Sequence, residues 1–157
     1  MYYADLTWYT RWHQKASDKL LNVGWLDRAH PFQTETPHES TLSTLLWHCC
    51  EQGVMRTRGW HFCDVCQTPR AEQFALGSDG KGYGSGFLVQ HNGRGFRLGD
   101  AEIRVRGENG IVYAAPNLVY HYVRDHHYKP PGDFLNALRR SSSSDQQPTT
   151  KGQQLTR

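Results

Sequence analysis

Two cysteines three residues apart constrain this chain more than any other feature: Cys63 and Cys66, in Gly59-Trp60-His61-Phe62-Cys63-Asp64-Val65-Cys66. A second stretch, Tyr120-His121-Tyr122-Val123-Arg124-Asp125-His126-His127-Tyr128, carries a His-x4-His pair, His121 and His126. Zn²⁺ takes four sulfur or nitrogen donors at about 2.0 to 2.3 Å in a tetrahedron, and a Cys-x2-Cys with a His pair supplies them from two short segments. A metal held there closes a long loop across residues 67–120, which restricts the unfolded chain and ties a helix to the cysteine knuckle.

The choice of histidines is open at this level. On a wheel of 100° per residue, Leu118, Val119, Tyr122 and Val123 define an apolar face centred near His126, with His121 at its margin. His61 is the substitute ligand, since His61-x-Cys63-x2-Cys66 alone offers three donors. A thioredoxin-like redox pair is disfavoured, because such a Cys-x-x-Cys opens a helix after a strand, whereas this one enters a glycine-rich β region. A zinc deaminase is not supported either, since no His/Cys-x-Glu precedes a Pro-Cys-x-x-Cys. In His48-Cys49-Cys50, Cys49 lies on a helical apolar stripe and reads as core, with His48 and Cys50 flanking it.

Length matters next, because 157 residues suit one domain with a real core. The expected division is a single domain over 1–140 and a disordered polar tail over 141–157, where Ser141-Ser142-Ser143-Ser144 and the Gln- and Thr-rich residues after them offer little apolar surface. A net charge of +3 falls well short of a dedicated nucleic-acid binder. Residues 1–6 have no basic segment followed by an apolar run, and nothing approaches the roughly 20 apolar residues that span a bilayer. The expectation is a soluble cytoplasmic chain whose cysteines stay reduced.

The expected fold class is α+β: a small antiparallel β-meander packed with two or three helices and clamped by zinc. Thr36-Pro37-His38-Glu39 has the form of a capping box and predicts a helix over 37–52. Residues 1–23 hint at a helical stripe through Leu6, Tyr9, Trp12 and Leu20-Leu21. Arg58 to Phe62 reads as a strand entering the knuckle, and residues 77–86 as a glycine-rich loop. Asn92-Gly93 and Asn109-Gly110 lie between apolar runs and predict two hairpins. In the second, Ala101, Ile103 and Val105 face the core. Further helices are expected over about 117–128 and from Pro131 or Gly132 through Leu138.

Arg97, Arg104 and Arg106 are a candidate binding surface if they share one sheet face. Glu102 and Asp100 are candidate bases for a metal-bound water, although Glu102 falls on the exposed side of an alternating strand.

Gly24-Trp25-Leu26-Asp27, Arg58 through Cys66, Leu98-Gly99-Asp100-Ala101-Glu102-Ile103 and Ala115 through Pro131 together resemble a family of uncharacterised bacterial proteins over roughly residues 20 to 138. The resemblance implies a bacterial source and a shared knuckle-plus-helix site at Cys63, Cys66, His121 and either His126 or His61.

The leading functional expectation is a non-catalytic, Zn²⁺-holding module that binds another protein, with immunity-type neutralisation as one use, because four protein donors leave no position for water. Two alternatives stand beside it: a zinc-dependent, hydrolase-like enzyme with an open metal position, and a nucleic-acid-binding zinc domain drawing on the arginine hairpins.

Overall fold

The computed structural model describes residues 1–10, 19–67 and 87–144. Trp12, the glycine-rich stretch 77–86 and the tail from 145 onward lie outside these. The elements in chain order are β1 (Lys19–Asn22), α1 (Glu39–Glu51), β2 (Leu88–His91), β3 (Arg94–Arg97), β4 (Glu102–Arg106), β5 (Ile111–Pro116), α2 (Val119–His126) and α3 (Gly132–Ser144). The class is α+β, as expected.

The strands do not form one meander. β2 and β3 pair antiparallel as a separate two-stranded sheet, and β1, β5 and β4 form the other, with β5 in the middle. Both Asn-Gly turns are present: Asn92 and Gly93 have φ of 49° and 75°, Asn109 and Gly110 φ of 55° and 75°. Positive φ at both central residues matches the strand twist on either side, which is why Asn-Gly predicts hairpins. The chain between the hairpins bends through Gly99, at φ 111°. A Cβ there would meet the His61 carbonyl oxygen at 2.7 Å, so only glycine fits.

β1 corrects the helical stripe expected near the N-terminus. Lys19–Asn22 is a strand paired parallel to β5, Lys19 opposite Ile111. Residues 1–10 run beside it as irregular chain, bridged at Tyr3↔Trp25 and Trp8↔Leu21. Leu6, Tyr9 and Leu20-Leu21 mimic a helical period, yet pairing with a distant strand overrides so short a signal.

Successive β5 side chains go to opposite faces. Tyr113 and Ala115 join the main core with Leu45, Ile103, Val105, Val119 and Phe134, whereas Ala114 joins a second cluster with Tyr9, Leu20 and Trp25. The three-stranded sheet is therefore covered on both sides. Ala101, Ile103 and Val105 face inward as expected. Glu102 does not face water: it is 2% exposed, because the N-terminal segment covers the face that strand alternation marks as outward.

α1 starts later than the capping motif predicts. His38 is the N-cap, extended at φ −71° and ψ 144°, with no side-chain cap. The Glu35 N–H donates to the His127 carbonyl at 2.8 Å and Thr34 bridges Tyr128, so the approach is held extended against the end of α2. Glu39 then opens the helix instead of closing a capping box. Cys49 is core, but His48 and Cys50 are buried as well, at 6% and 5% exposure, because α1 packs against α2, α3 and β4. α3 continues through Ser144, past the boundary expected at 140, with hydroxyls of Ser141 and Ser142 donating back to the Leu138 and Arg139 carbonyls at 2.8 Å. No helix among the described residues is long and apolar enough to cross a membrane.

Candidate metal centre

The knuckle is positioned from three sides. Residues 58–62 form no strand; instead the Thr57 N–H donates to the Asp100 carbonyl and the His61 N–H to the Gly99 carbonyl, both at 2.7 Å. Buried Asn117 anchors that strip: its Oδ1 accepts the Gly99 N–H at 2.7 Å and its Nδ2 donates to Asp100 Oδ1 at 3.1 Å. Arg28 reaches over from the other side, donating from Nε to the Asp64 carbonyl at 3.0 Å and from the second amine to the Cys66 carbonyl at 2.9 Å. Within the turn, the Cys66 N–H donates to Cys63 Sγ at 3.2 Å, which leaves both sulfurs on one side.

α2 presents the histidines to those sulfurs. The ligand atoms of Cys63, Cys66, His121 and His126 all lie within 4.8 Å of one another. Cys66 Sγ is 3.2 Å from His121 Nε2 and 3.3 Å from His126 Nε2, while Cys63 Sγ is 3.4 Å from His126 Nε2. The two Nε2 atoms are 3.1 Å apart. A tetrahedron with ordinary Zn–S and Zn–N bonds has S···N edges of about 3.5 Å and an N···N edge of about 3.4 Å. These four edges are within a few tenths of an ångström of those values, and the other two stay within 4.8 Å, so small shifts would let the donor set close on a metal of this size.

The ranking of the histidines is the reverse of the helical-wheel expectation. His121 is 1% exposed and His126 only half-buried. Tyr120, His121 and Tyr122 are all buried along with Val119 and Val123, because Phe87 covers the flank that apolar residues alone leave blank; its ring lies 4.7 Å from the His121 ring. His126 sits in the last turn, just before His127 ends α2 in the left-handed region at φ 53°. His61 contributes its backbone to Gly99 and is not among the four converging side chains.

Asp125 completes the arrangement. Its Oδ2 lies 2.7 Å from His121 Nδ1, so Nδ1–H donates and the Nε2 lone pair is left facing the sulfurs. Arg124 donates to both Asp125 oxygens, at 2.9 and 2.8 Å. Burial alone would raise the Asp125 pKa, but the Arg124 guanidinium and His121 outweigh it and hold the carboxyl below its usual range. Burial lowers His121 to about 4 against the pull of Asp125, and lowers His126 also. Burial likewise pushes the Cys63 thiol up to about 12 and raises Cys66. Neutral imidazoles suit a divalent cation; the thiols must lose protons to it.

The remaining candidates stand elsewhere. Glu102 accepts the Tyr9 hydroxyl at 3.0 and 2.8 Å and Arg104 at 2.8 Å. Asp100 pairs with Arg56 at 3.0 Å. Neither carboxylate belongs to the converging group. Arg97 lies on β3, its guanidinium 5.4 Å from the Trp60 ring, whereas Arg104 and Arg106 lie on β4 in the other sheet. The three arginines therefore do not share one sheet face. His48, Cys49 and Cys50 join no metal-ligating group among the described residues. Sequence reasoning missed Asp125 and Arg28. Asp125 had a signal, since it lies four residues after His121 on one helix and such pairs touch; Arg28 had none.

No curated protein and no solved structure matches this chain. A family model described as "Domain of unknown function (DUF7919)" does match, over residues 1–139, which takes in the knuckle, α2 and both sheets. The chain belongs to that family.

Proposed function

We propose that this chain is a Zn²⁺-stabilised, non-catalytic protein-binding module. The observation that carries the reading is the convergence of two sulfurs and two imidazole nitrogens within 4.8 Å, because a tetrahedral S2N2 set selects zinc and fills its coordination. With four protein donors no position is left for a substrate or an activated water. Glu102 and Asp100, the acids an open site would call on, are engaged by Tyr9, Arg104 and Arg56.

Binding to another protein is supported by the segment leading into the knuckle. Val54, Met55 and Trp60 are 39%, 40% and 39% exposed, with Arg97 against the Trp60 ring. Trp, Met and Arg are enriched in the cores of protein interfaces. The reducing cytoplasm suits such a site, since it keeps both thiols available to metal.

The test is metal analysis of protein purified without added zinc, alongside Cys63→Ser and His121→Ala. The reading expects one zinc per chain, lost in both variants together with thermal stability. Unchanged metal content and melting in both variants overturns it. Trp60→Ala is expected to keep its zinc and lose a protein partner; steeply salt-dependent oligonucleotide binding would favour a nucleic-acid role instead.

A further inference from the structure

A cleft of about 360 Å³ lies between the N-terminal segment, residues 30–33 and the turn after α2, and none of the four proposed metal ligands lines it. That volume is within the range of small-ligand sites. Its walls include Tyr2, Tyr3, Phe32 and Tyr128, and Asp5 is its one carboxylate, beside His30, Gln33 and Lys129.

The rings are held in place before any ligand arrives. Tyr2 stacks on His30 with centroids 3.7 Å apart and planes 2° from parallel. Tyr3 stands edge-on to Trp25 at 5.7 Å, and Phe32 edge-on to Tyr128 at 5.9 Å. Asp5 is fixed as well: Oδ1 accepts the Gly24 N–H at 2.9 Å and Oδ2 accepts the Tyr128 hydroxyl at 2.7 Å. Each oxygen retains a lone pair.

What Asp5 lacks among the described residues is a cation. His30, which also lines the cleft, is engaged by Asp27 at 2.7 Å, and Lys129 by Glu35 at 3.5 Å. Burial raises the Asp5 pKa, as it does for a carboxylate whose charge is not compensated. A partly desolvated carboxylate with no counter-ion in a cleft is a candidate ligand site. Aromatic faces add attraction for a cation, which strengthens as water is excluded. Pro31, Pro130 and Pro131 in the lining have no N–H to donate to an anion.

We propose that this cleft binds a substituted ammonium cation, with its charge against the Asp5 carboxylate and its alkyl groups against the rings of Tyr2, Tyr3 and Phe32. The site is independent of the metal centre and needs no chemistry from it.

Titration calorimetry with choline, with its neutral carbon isostere 3,3-dimethylbutan-1-ol, and with a short trimethyllysine peptide tests the assignment on the full chain. Saturable binding of choline or the peptide, and weaker binding of the isostere, is expected; whichever cation binds tighter identifies the source as a free small molecule or a modified partner protein. Asp5→Asn, which removes the charge, keeps an acceptor for the Gly24 N–H and turns an amide N–H toward the Tyr128 hydroxyl oxygen, is expected to weaken binding roughly ten-fold. Tyr2→Ala, at the half-buried rim, serves if Asp5→Asn melts early. Equal binding of the neutral isostere, no saturable cation binding by the folded protein, or undiminished binding by both variants overturns the proposal.

Discussion

The Cys63/Cys66/His121/His126 cluster and the Tyr9/Glu102/Arg104 cluster both gather polar side chains inside a small fold, and they differ in what their atoms face. In the second, the charge meets its opposite: Glu102, with a side chain 3% exposed, shares the Tyr9 hydroxyl between its two oxygens and takes a hydrogen bond from Arg104, whose guanidinium also lies 4.9 Å from the Tyr9 ring. In the first, four potential metal donors point at one another across 3.1 to 3.4 Å contacts; Asp125 on His121 and Arg28 on the Cys66 carbonyl aim them, and Asn117 holds Gly99 and Asp100 behind the knuckle. A cluster that satisfies its own charges stabilises a fold; one whose lone pairs converge requires something between them.

The largest effect that separates the two is chelation. Stripping metal from the first cluster is expected to unfold the chain or leave it with a broad, low melting transition, since a structural zinc contributes on the order of the whole stability of a small domain. Circular dichroism melts with and without chelator measure this, and coincident melts would erase the distinction. Glu102→Gln is expected to cost about 2 to 3 kcal/mol in denaturant unfolding, below the range for a fully buried pair because Arg104 reaches solvent, and to leave the zinc content unchanged.

How far each cluster could be read from sequence follows from the distance over which its partners lie. The cysteine knuckle and the histidine pair are local patterns, and so are the Asn-Gly turns, α1 and α2; all of them are legible. Glu102 was not, because its partner Tyr9 is 93 residues away and covers a face that alternation marks as exposed. β1 was missed for the same reason, since its four residues gain their strand character only from β5. The division into two sheets depends on Gly99 and its contact with His61, which no periodicity records. The order of His121 and His126 was reversed because a wheel drawn from α2 alone does not include Phe87.

Smaller effects sharpen the comparison from within the first cluster. Asp125→Ala is expected to weaken zinc binding about 10- to 100-fold, with Asp125→Asn between that and the parent, while the metal-loaded fold is kept. Competition with a chromophoric chelator gives the affinities; parent-like values in both would make Asp125 a bystander.

The smallest expected effect is on pH dependence. His121, at about 4, and His126 both titrate below 6.5 in the fold, so between those values the unfolded chain binds more protons than the folded one. Their contribution is fully present above pH 6.5 and is lost as pH falls toward 4. Urea midpoints of the metal-loaded protein are expected to drop on acidification through that window, as protons compete with the metal for the two imidazoles; a midpoint constant from pH 7 to 4 would contradict this.

The most direct test is X-ray absorption at the zinc edge of the loaded protein. Two sulfur scatterers at about 2.3 Å and two imidazole nitrogens at about 2.0 Å are expected, with no oxygen in the shell. A shell with one cysteine or one histidine missing and a water in its place would contradict it.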